Sequence, residues 1–166
     1  MSESMAETAT SGTDRIRVGV ADMAVGDGDT AIVTSGLGSC VAVAIHDGNG
    51  VGGLLHAMLP EAPAETDTPE KYVDTGIEAM VGALTERGAD PDRFVAKVAG
   101  GSSMLNLGNG SPVGEKNVAA TERVLTAAGI DVEGADTGGT SGRSVTFDPA
   151  TGTMTIRRVN AEMRVL

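Results

Sequence analysis

A single cysteine and a nearby histidine are the residues in this sequence best suited to chemistry. Cys40 is the only cysteine, and it follows the glycine-containing turn Thr34-Ser35-Gly36-Leu37-Gly38-Ser39. Sixteen residues later comes His56, within an otherwise apolar segment. A thiolate is a strong nucleophile, and an imidazole can remove the thiol proton and later protonate a leaving group. The pair therefore predicts nucleophilic catalysis, with Cys40 as the nucleophile and His56 as the general base.

The turn before Cys40 supplies further groups for such a reaction. Backbone N–H groups at Gly38 and Ser39 could stabilise a developing oxyanion. The Thr34 hydroxyl could accept the second imidazole N–H and fix the tautomer, as a carboxylate or amide does in other triads. From residue type alone, an ordinary β-branched strand residue is the simpler interpretation of Thr34.

Structural roles compete with these catalytic ones. Most free cysteines are small buried hydrophobes, although such a cysteine would not need a glycine turn before it. His56 could be a strand histidine whose ring is satisfied by a carbonyl group. His46 is the other candidate base, but it precedes Asp47-Gly48, a turn that we expect to face solvent.

Charge and composition narrow the class of protein. The 166 residues contain 23 Asp and Glu against 12 Lys and Arg, a formal net charge of −11. Such a surface repels nucleic acid and anionic membranes, since phosphate contacts need Lys and Arg. Adaptation to a salt-rich (halophilic) cytoplasm is the hypothesis we favour for this acidity, because salt screens the repulsion between carboxylates. An ordinary acidic protein is the alternative.

Several classes of site and targeting signal are not predicted. One cysteine excludes an internal disulfide, and two histidines with one cysteine offer no close pair of metal ligands. The glycine-rich segment 108–116 lacks the spacing of a phosphate-binding or dinucleotide-binding loop, so it does not predict a nucleotide site. The sequence shows no signal peptide and no apolar run long enough to span a bilayer, which predicts a cytoplasmic protein without direct membrane insertion.

The order of predicted elements indicates an α/β fold, a single layered domain with helices packed on a mixed β-sheet. Residues 1–14 are predicted to be a disordered tail, and residues 15–166 one domain. Strands are predicted at 15–21, 31–34, 40–45, 51–58, 94–99, 130–135, 144–147 and 153–159. An apolar stripe predicts a helix after Pro69, capped by Asp67 or Thr68, and a second helix is predicted from about 115 to 128. A hairpin at 47–50 would bring His56 back towards Cys40, although the sequence leaves the register open.

Five stretches of the chain resemble the CheD family of chemoreceptor glutamine deamidases. They are Thr34-Ser-Gly-Leu-Gly-Ser-Cys40-Val-Ala-Val, His56-Ala-Met-Leu-Pro60, Ala96-Lys-Val-Ala-Gly-Gly101, Val113-Gly-Glu-Lys-Asn-Val118, and Asp136-Thr-Gly-Gly139 with Gly142-Arg143. The resemblance covers about residues 16–159, in the order of the family.

The resemblance implies a function and a set of roles. It implies hydrolysis of selected glutamine side chains of chemoreceptor cytoplasmic domains to glutamate, without a cofactor. Its catalytic triad falls on Cys40, His56 and Thr34, and its known partner type is a CheC-type phosphatase. A non-catalytic module that docks and stimulates such a phosphatase is the alternative. A purely structural protein with a buried cysteine is the third and weakest interpretation.

Overall fold

Two five-stranded sheets and two helices form three layers. The computed structural model describes residues 15–103, 112–159 and 161–166. The strands are β1 (Arg15–Arg17), β2 (Asp22–Asp27), β3 (Ala31–Leu37), β4 (Val41–His46), β5 (Val51–Ala57), β6 (Val95–Gly100), β7 (Asp131–Thr137), β8 (Arg143–Asp148), β9 (Thr153–Arg158) and β10 (Arg164–Val165). The helices are α1 (Val73–Glu86) and α2 (Val113–Ala127).

Both sheets are mixed. The first has the order β1-β3-β8-β9-β10 and the second the order β2-β5-β4-β6-β7. The pairs β1–β3 and β6–β7 are parallel, whereas the other neighbouring strands are antiparallel. The predicted α/β class is confirmed, with the strands divided between two stacked sheets. Apolar alternation shows which strands are half-buried, but it does not show which sheet each strand joins.

Strand β4 is buried on both faces because it lies in the middle layer. Its alternate residues Val41, Val43 and Ile45 belong to the core between the second sheet and the helices. Ala42 and Ala44 belong to the core between the two sheets, which also contains Phe147. Small alanine side chains leave room for this ring and for the aliphatic residues of the first sheet. An uninterrupted apolar run is the pattern of a strand covered on both sides, as the sequence predicts here.

Helix α1 buries the predicted apolar stripe, but its start differs from the prediction. Val73, Ile77, Met80 and Leu84 are buried. The predicted cap at Asp67 or Thr68 is wrong, since residues 69–71 form a separate 3₁₀ turn and α1 follows the extended residue Tyr72. A bridge between Leu59 and Tyr72 holds this residue extended, a long-range contact that local capping rules do not register.

Residues 26–27 and His46 differ in the structure from what local sequence preference indicates. Gly26 and Asp27 are residue types that favour turns, yet they end β2, because β2 pairs along its whole length with β5. His46 was expected at the surface and is buried: its ring lies 6.0 Å from the Phe147 ring, centroid to centroid, and a Cβ at Gly152 would collide with it. The predicted disordered tail, residues 1–14, lies outside the described residues.

Candidate active site

Thr34 and His56 meet across the gap between the two sheets. Thr34 is on β3 of the first sheet, and His56 is on β5 of the second. The Thr34 Oγ1 atom lies 2.7 Å from His56 Nδ1, and both residues are buried. A buried imidazole needs such a partner because an unpaired polar group in an apolar core is costly. The contact joins two of the residues that the sequence singled out.

The hydrogen-bond network around Thr34 fixes the histidine tautomer. Thr34 Oγ1 lies 2.8 Å from the Val18 carbonyl oxygen, which can only accept a hydrogen bond. A hydroxyl has one proton, so Thr34 donates it to Val18 and must accept from His56. His56 therefore carries its proton on Nδ1 and has a lone pair on Nε2. Within the described part of the chain, this buried Nε2 has no hydrogen-bond partner. The arrangement provides an oriented and unoccupied base.

Cys40 lies on the same face of the second sheet as His56. Ala42 is directly opposite His56 in the β4–β5 ladder, and Cys40 precedes Ala42 by two residues. Cys40 packs against the same inter-sheet core as Ala42 and is partly exposed. The hairpin thus returns His56 towards the start of β4, as predicted. A Cys40–His56 hydrogen bond is not formed, since Nε2 is unpartnered, and catalytic contacts are often longer before substrate binds.

Three donors hold the turn that carries Cys40. Gly101 N donates to Cys40 O at 2.8 Å, and Ser102 N donates to Gly38 O at 2.9 Å. A Cβ on Gly100 would collide with the Cys40 carbonyl oxygen, and Gly100 has φ 105°. The close approach of β6 to this turn therefore requires glycine at this position.

Asn117 is the third donor, and sequence reasoning did not give it a role. Its Nδ2 donates to Ser39 O at 2.8 Å and to Met58 O at 3.0 Å. One buried side chain of α2 thereby joins the residue before Cys40 to a residue two positions after His56. A completely buried asparagine on a helix indicates a structural or functional role for its side chain. The sequence alone does not show that Asn117 is buried.

The N–H groups of the turn differ in availability. Gly38 N donates to Gly36 O at 3.1 Å. In the described residues, no backbone hydrogen bond outside the sheet ladders is donated by the N–H of Ser39 or Cys40. Of the two predicted oxyanion donors, Ser39 is therefore better placed than Gly38.

Burial shifts the pKa of both Cys40 and His56. Desolvation raises the pKa of the Cys40 thiol, and a hydrogen bond from the Cys40 backbone partly opposes this effect. Desolvation also lowers the pKa of His56. Both shifts disfavour the charged form, so a neutral thiol and a neutral imidazole are the expected pair near neutral pH.

Comparison with known protein families gives a direct match. The family model described as "CheD chemotactic sensory transduction" matches residues 58–158. A Natronomonas pharaonis protein named "Probable chemoreceptor glutamine deamidase CheD" is 41% identical over 165 residues, covering 97% of each chain. A Thermotoga maritima protein named "Chemoreceptor glutamine deamidase CheD" is 41% identical over 143 residues, covering 86% of this chain and 90% of the relative.

A solved structure shares the fold. A Neisseria meningitidis protein of the DUF152 family superposes with a TM-score of 0.53 at 15% identity, covering 86% of this chain and 73% of the other. At this identity the likeness concerns the arrangement of sheets and helices alone. Among the described residues, no helix combines the length and the apolar character needed to cross a bilayer.

Proposed function

This chain belongs to the CheD family, and we propose that it is a cytoplasmic, cysteine-dependent deamidase that converts glutamine side chains of chemoreceptors to glutamate. The proposed substrate is taken from the names of the relatives, and the proposed chemistry from the geometry of the site. The observation that carries the catalytic assignment is the Thr34–His56 contact, which leaves Nε2 of a buried imidazole free on the face that Cys40 shares. We assign Cys40 as nucleophile, His56 as general base and acid, and Thr34 as the residue that orients His56.

The proposed reaction has two stages. His56 Nε2 removes the Cys40 thiol proton as sulfur attacks the carboxamide carbon, and N–H groups of the turn stabilise the oxyanion. The C–N bond then breaks, and the imidazolium gives its proton to the departing ammonia. In the second stage, Nε2 removes a proton from water, and the hydroxide attacks the thioester. The C–S bond breaks, the sulfur regains its proton, and glutamate is released.

A CheC-type phosphatase is the regulatory partner that we propose. It follows from membership of the family. The alternative, a module that only docks such a phosphatase, requires neither a thiol nor an oriented imidazole. The presence of Cys40 and the Thr34–His56 pair favours the enzyme.

Ammonia release from a chemoreceptor cytoplasmic domain tests the proposal. We expect Cys40→Ala to abolish release while leaving the melting temperature close to that of wild type. Thr34→Val removes the acceptor for Nδ1–H and should lower kcat by about 100-fold, within the range for positioned acid–base groups. Thr34→Ser keeps the hydroxyl and is the matched control. Undiminished activity of the Cys40→Ala protein would reject the cysteine mechanism.

A further inference from the structure

The segment between Gly100 and Ser103 holds the Cys40 turn, and the turn after β7 holds this segment in place. Gly138 N donates to Gly100 O at 3.0 Å. Ser103 N donates to Gly139 O at 2.8 Å. Both ends of the segment are thus attached to the turn after β7, so a shift of that turn would move the N–H groups that hold the Cys40 turn.

Arg143 fixes the turn after β7 from the other sheet. It lies on β8 in the first sheet, whereas β7 belongs to the second. Its Nη2 atom donates to Gly138 O at 2.8 Å and lies 3.4 Å from Asp136 Oδ1. Its backbone pairs with Leu37, which is three residues before Cys40. Arg143 therefore acts on the Cys40 turn from two sides, through the β3–β8 ladder and through the turn after β7.

A contribution to stability explains the burial of Arg143 poorly. Its side chain is 2% exposed, and in the described part of the chain its Nε and Nη1 atoms have no hydrogen-bond partner. Burying a charge with unsatisfied N–H groups costs free energy. Replacing a buried ion pair with apolar side chains of similar volume is often neutral or stabilising. A guanidinium at this position therefore needs another explanation.

Asp136 has cationic partners besides Arg143. Its carboxylate oxygens lie 3.6 Å from Arg164 Nη1 and 4.0 Å from Arg158 Nε. Replacement of Arg143 would therefore not leave a buried carboxylate alone, which is the usual cause of severe destabilisation when one member of a buried pair is removed. The contact with Gly138 O differs, since among the described residues Arg143 Nη2 is the donor to this oxygen.

We propose that Arg143 is a positioning residue for the nucleophile Cys40, acting through the turn after β7. The guanidinium holds Gly138, this turn holds the segment from Gly100 to Ser103, and the segment holds the Cys40 turn. The inference rests on the proposed function, which makes Cys40 the nucleophile, and it adds a residue that takes no part in proton transfer. Small shifts matter here, because a misplacement of about 1 Å can lower a rate about 100-fold.

Two matched variants test whether Arg143 acts on catalysis or only on stability. Arg143→Met removes the donor to Gly138 O and leaves an unbranched apolar side chain. Arg158→Met is the control, because Arg158 lies opposite Arg143 in the β8–β9 ladder and approaches the same carboxylate, but does not supply the donor to Gly138. We expect Arg143→Met to lower kcat for ammonia release by about 10- to 100-fold with a smaller change in KM, and Arg158→Met to stay within about twofold of wild type.

Amide hydrogen exchange follows the same contacts without catalysis. The N–H groups in residues 100–103 that hold the Cys40 turn are hydrogen-bonded, so they should exchange slowly in the wild-type protein. We expect Arg143→Met to speed exchange in residues 100–103 while exchange in α1 keeps its wild-type rate. Arg158→Met should leave exchange in both regions unchanged.

A charge-preserving pair keeps the proposal testable if the methionine variant does not fold. Arg143→Lys retains a positively charged donor and should recover part of kcat and part of the exchange protection. Its kcat should still lie below that of Arg158→Lys. Equal kcat in these two lysine variants, or unchanged exchange in residues 100–103 of Arg143→Met, would overturn the proposal.

The two readouts separate this proposal from the deamidase. Exchange in residues 100–103 that depends on Arg143, in a protein that releases no ammonia from any glutamine substrate, would support the positioning contact and reject the deamidase. Ammonia release with the same kcat in wild type and Arg143→Met would support the deamidase and reject the positioning role.

Discussion

The contacts of Thr34 with Val18 and His56 meet the requirement for the orienting role that we propose for this threonine. A hydroxyl both donates and accepts, so its own donation must be fixed before it can select the imidazole tautomer. Here the Val18 carbonyl fixes it. Residue types and the family resemblance identified Cys40, His56 and Thr34 as candidates. The sequence could not show the Val18 contact, because it joins backbone and side chain across 16 residues of chain.

The pH dependence of Cys40 alkylation reports its resting ionisation. Burial raises the thiol pKa, so the thiolate fraction near pH 7 is small and grows as pH increases. We expect the iodoacetamide labelling rate to rise through pH 7–9, with its midpoint at or above the ordinary value for cysteine of about 8.5. Mass spectrometry of the labelled protein provides the rate.

The opposite result has a clear meaning. A rate that is already at its plateau at pH 6–7 would indicate a thiolate–imidazolium pair at rest. That outcome would contradict the neutral pair expected from the lowered pKa of His56. Cys40→Ala controls for labelling at other residues.

At the scale of elements, local patterns predicted what local interactions determine. The apolar run of β4 and the stripe of α1 were identified because burial on two faces gives an uninterrupted apolar run, and burial on one face gives a periodic one. Strand β2 was missed because its Gly26 and Asp27 are turn-forming residues that are held extended by pairing with β5. The sequence shows the intrinsic conformational preference of each residue. Where that preference is weak, pairing with a distant strand decides whether the residue is extended.

Asn117 connects two elements of the site, so its replacement should affect catalysis more than substrate binding. Asn117→Ala removes donors to Ser39 O and Met58 O and leaves both buried carbonyls short of a partner. We expect kcat to fall by at least about 10-fold, or ~1.4 kcal/mol, with a smaller change in KM. The reason is that the segments carrying Cys40 and His56 lose the side chain that hydrogen-bonds to both of them. Steady-state ammonia release measures both parameters.

A control separates positioning from general disruption of α2. Thr121 is also buried on this helix, and its hydroxyl donates only to the Asn117 carbonyl, one turn earlier. Thr121→Val should lower stability without the selective loss of kcat. Equal loss of kcat in the two variants, at equal melting temperatures, would show that Asn117 does not act as a positioning residue.

At the scale of the whole molecule, the second sheet contributes one face to each of the two core clusters, and the candidate site lies on one of these faces. One face packs on the helices and the other on the first sheet, where Thr34 approaches His56. The surface follows a different rule. It is strongly acidic, with a formal net charge of −11, so added salt should weaken the repulsion between its carboxylates.

The formal charge of −11 leads to a prediction about stability. Repulsion between carboxylates destabilises the compact state, and the Debye length falls from about 10 Å at 0.1 M salt to about 3 Å at 1 M. We therefore expect the melting temperature to rise as KCl increases over this range. Replacing exposed acids, as in a variant with Asp29→Asn, Glu65→Gln and Asp67→Asn, should raise the melting temperature at low salt and flatten its dependence on KCl. A melting temperature that is insensitive to KCl in both proteins would reject salt adaptation, because fixed charges at this density cannot repel one another without responding to screening.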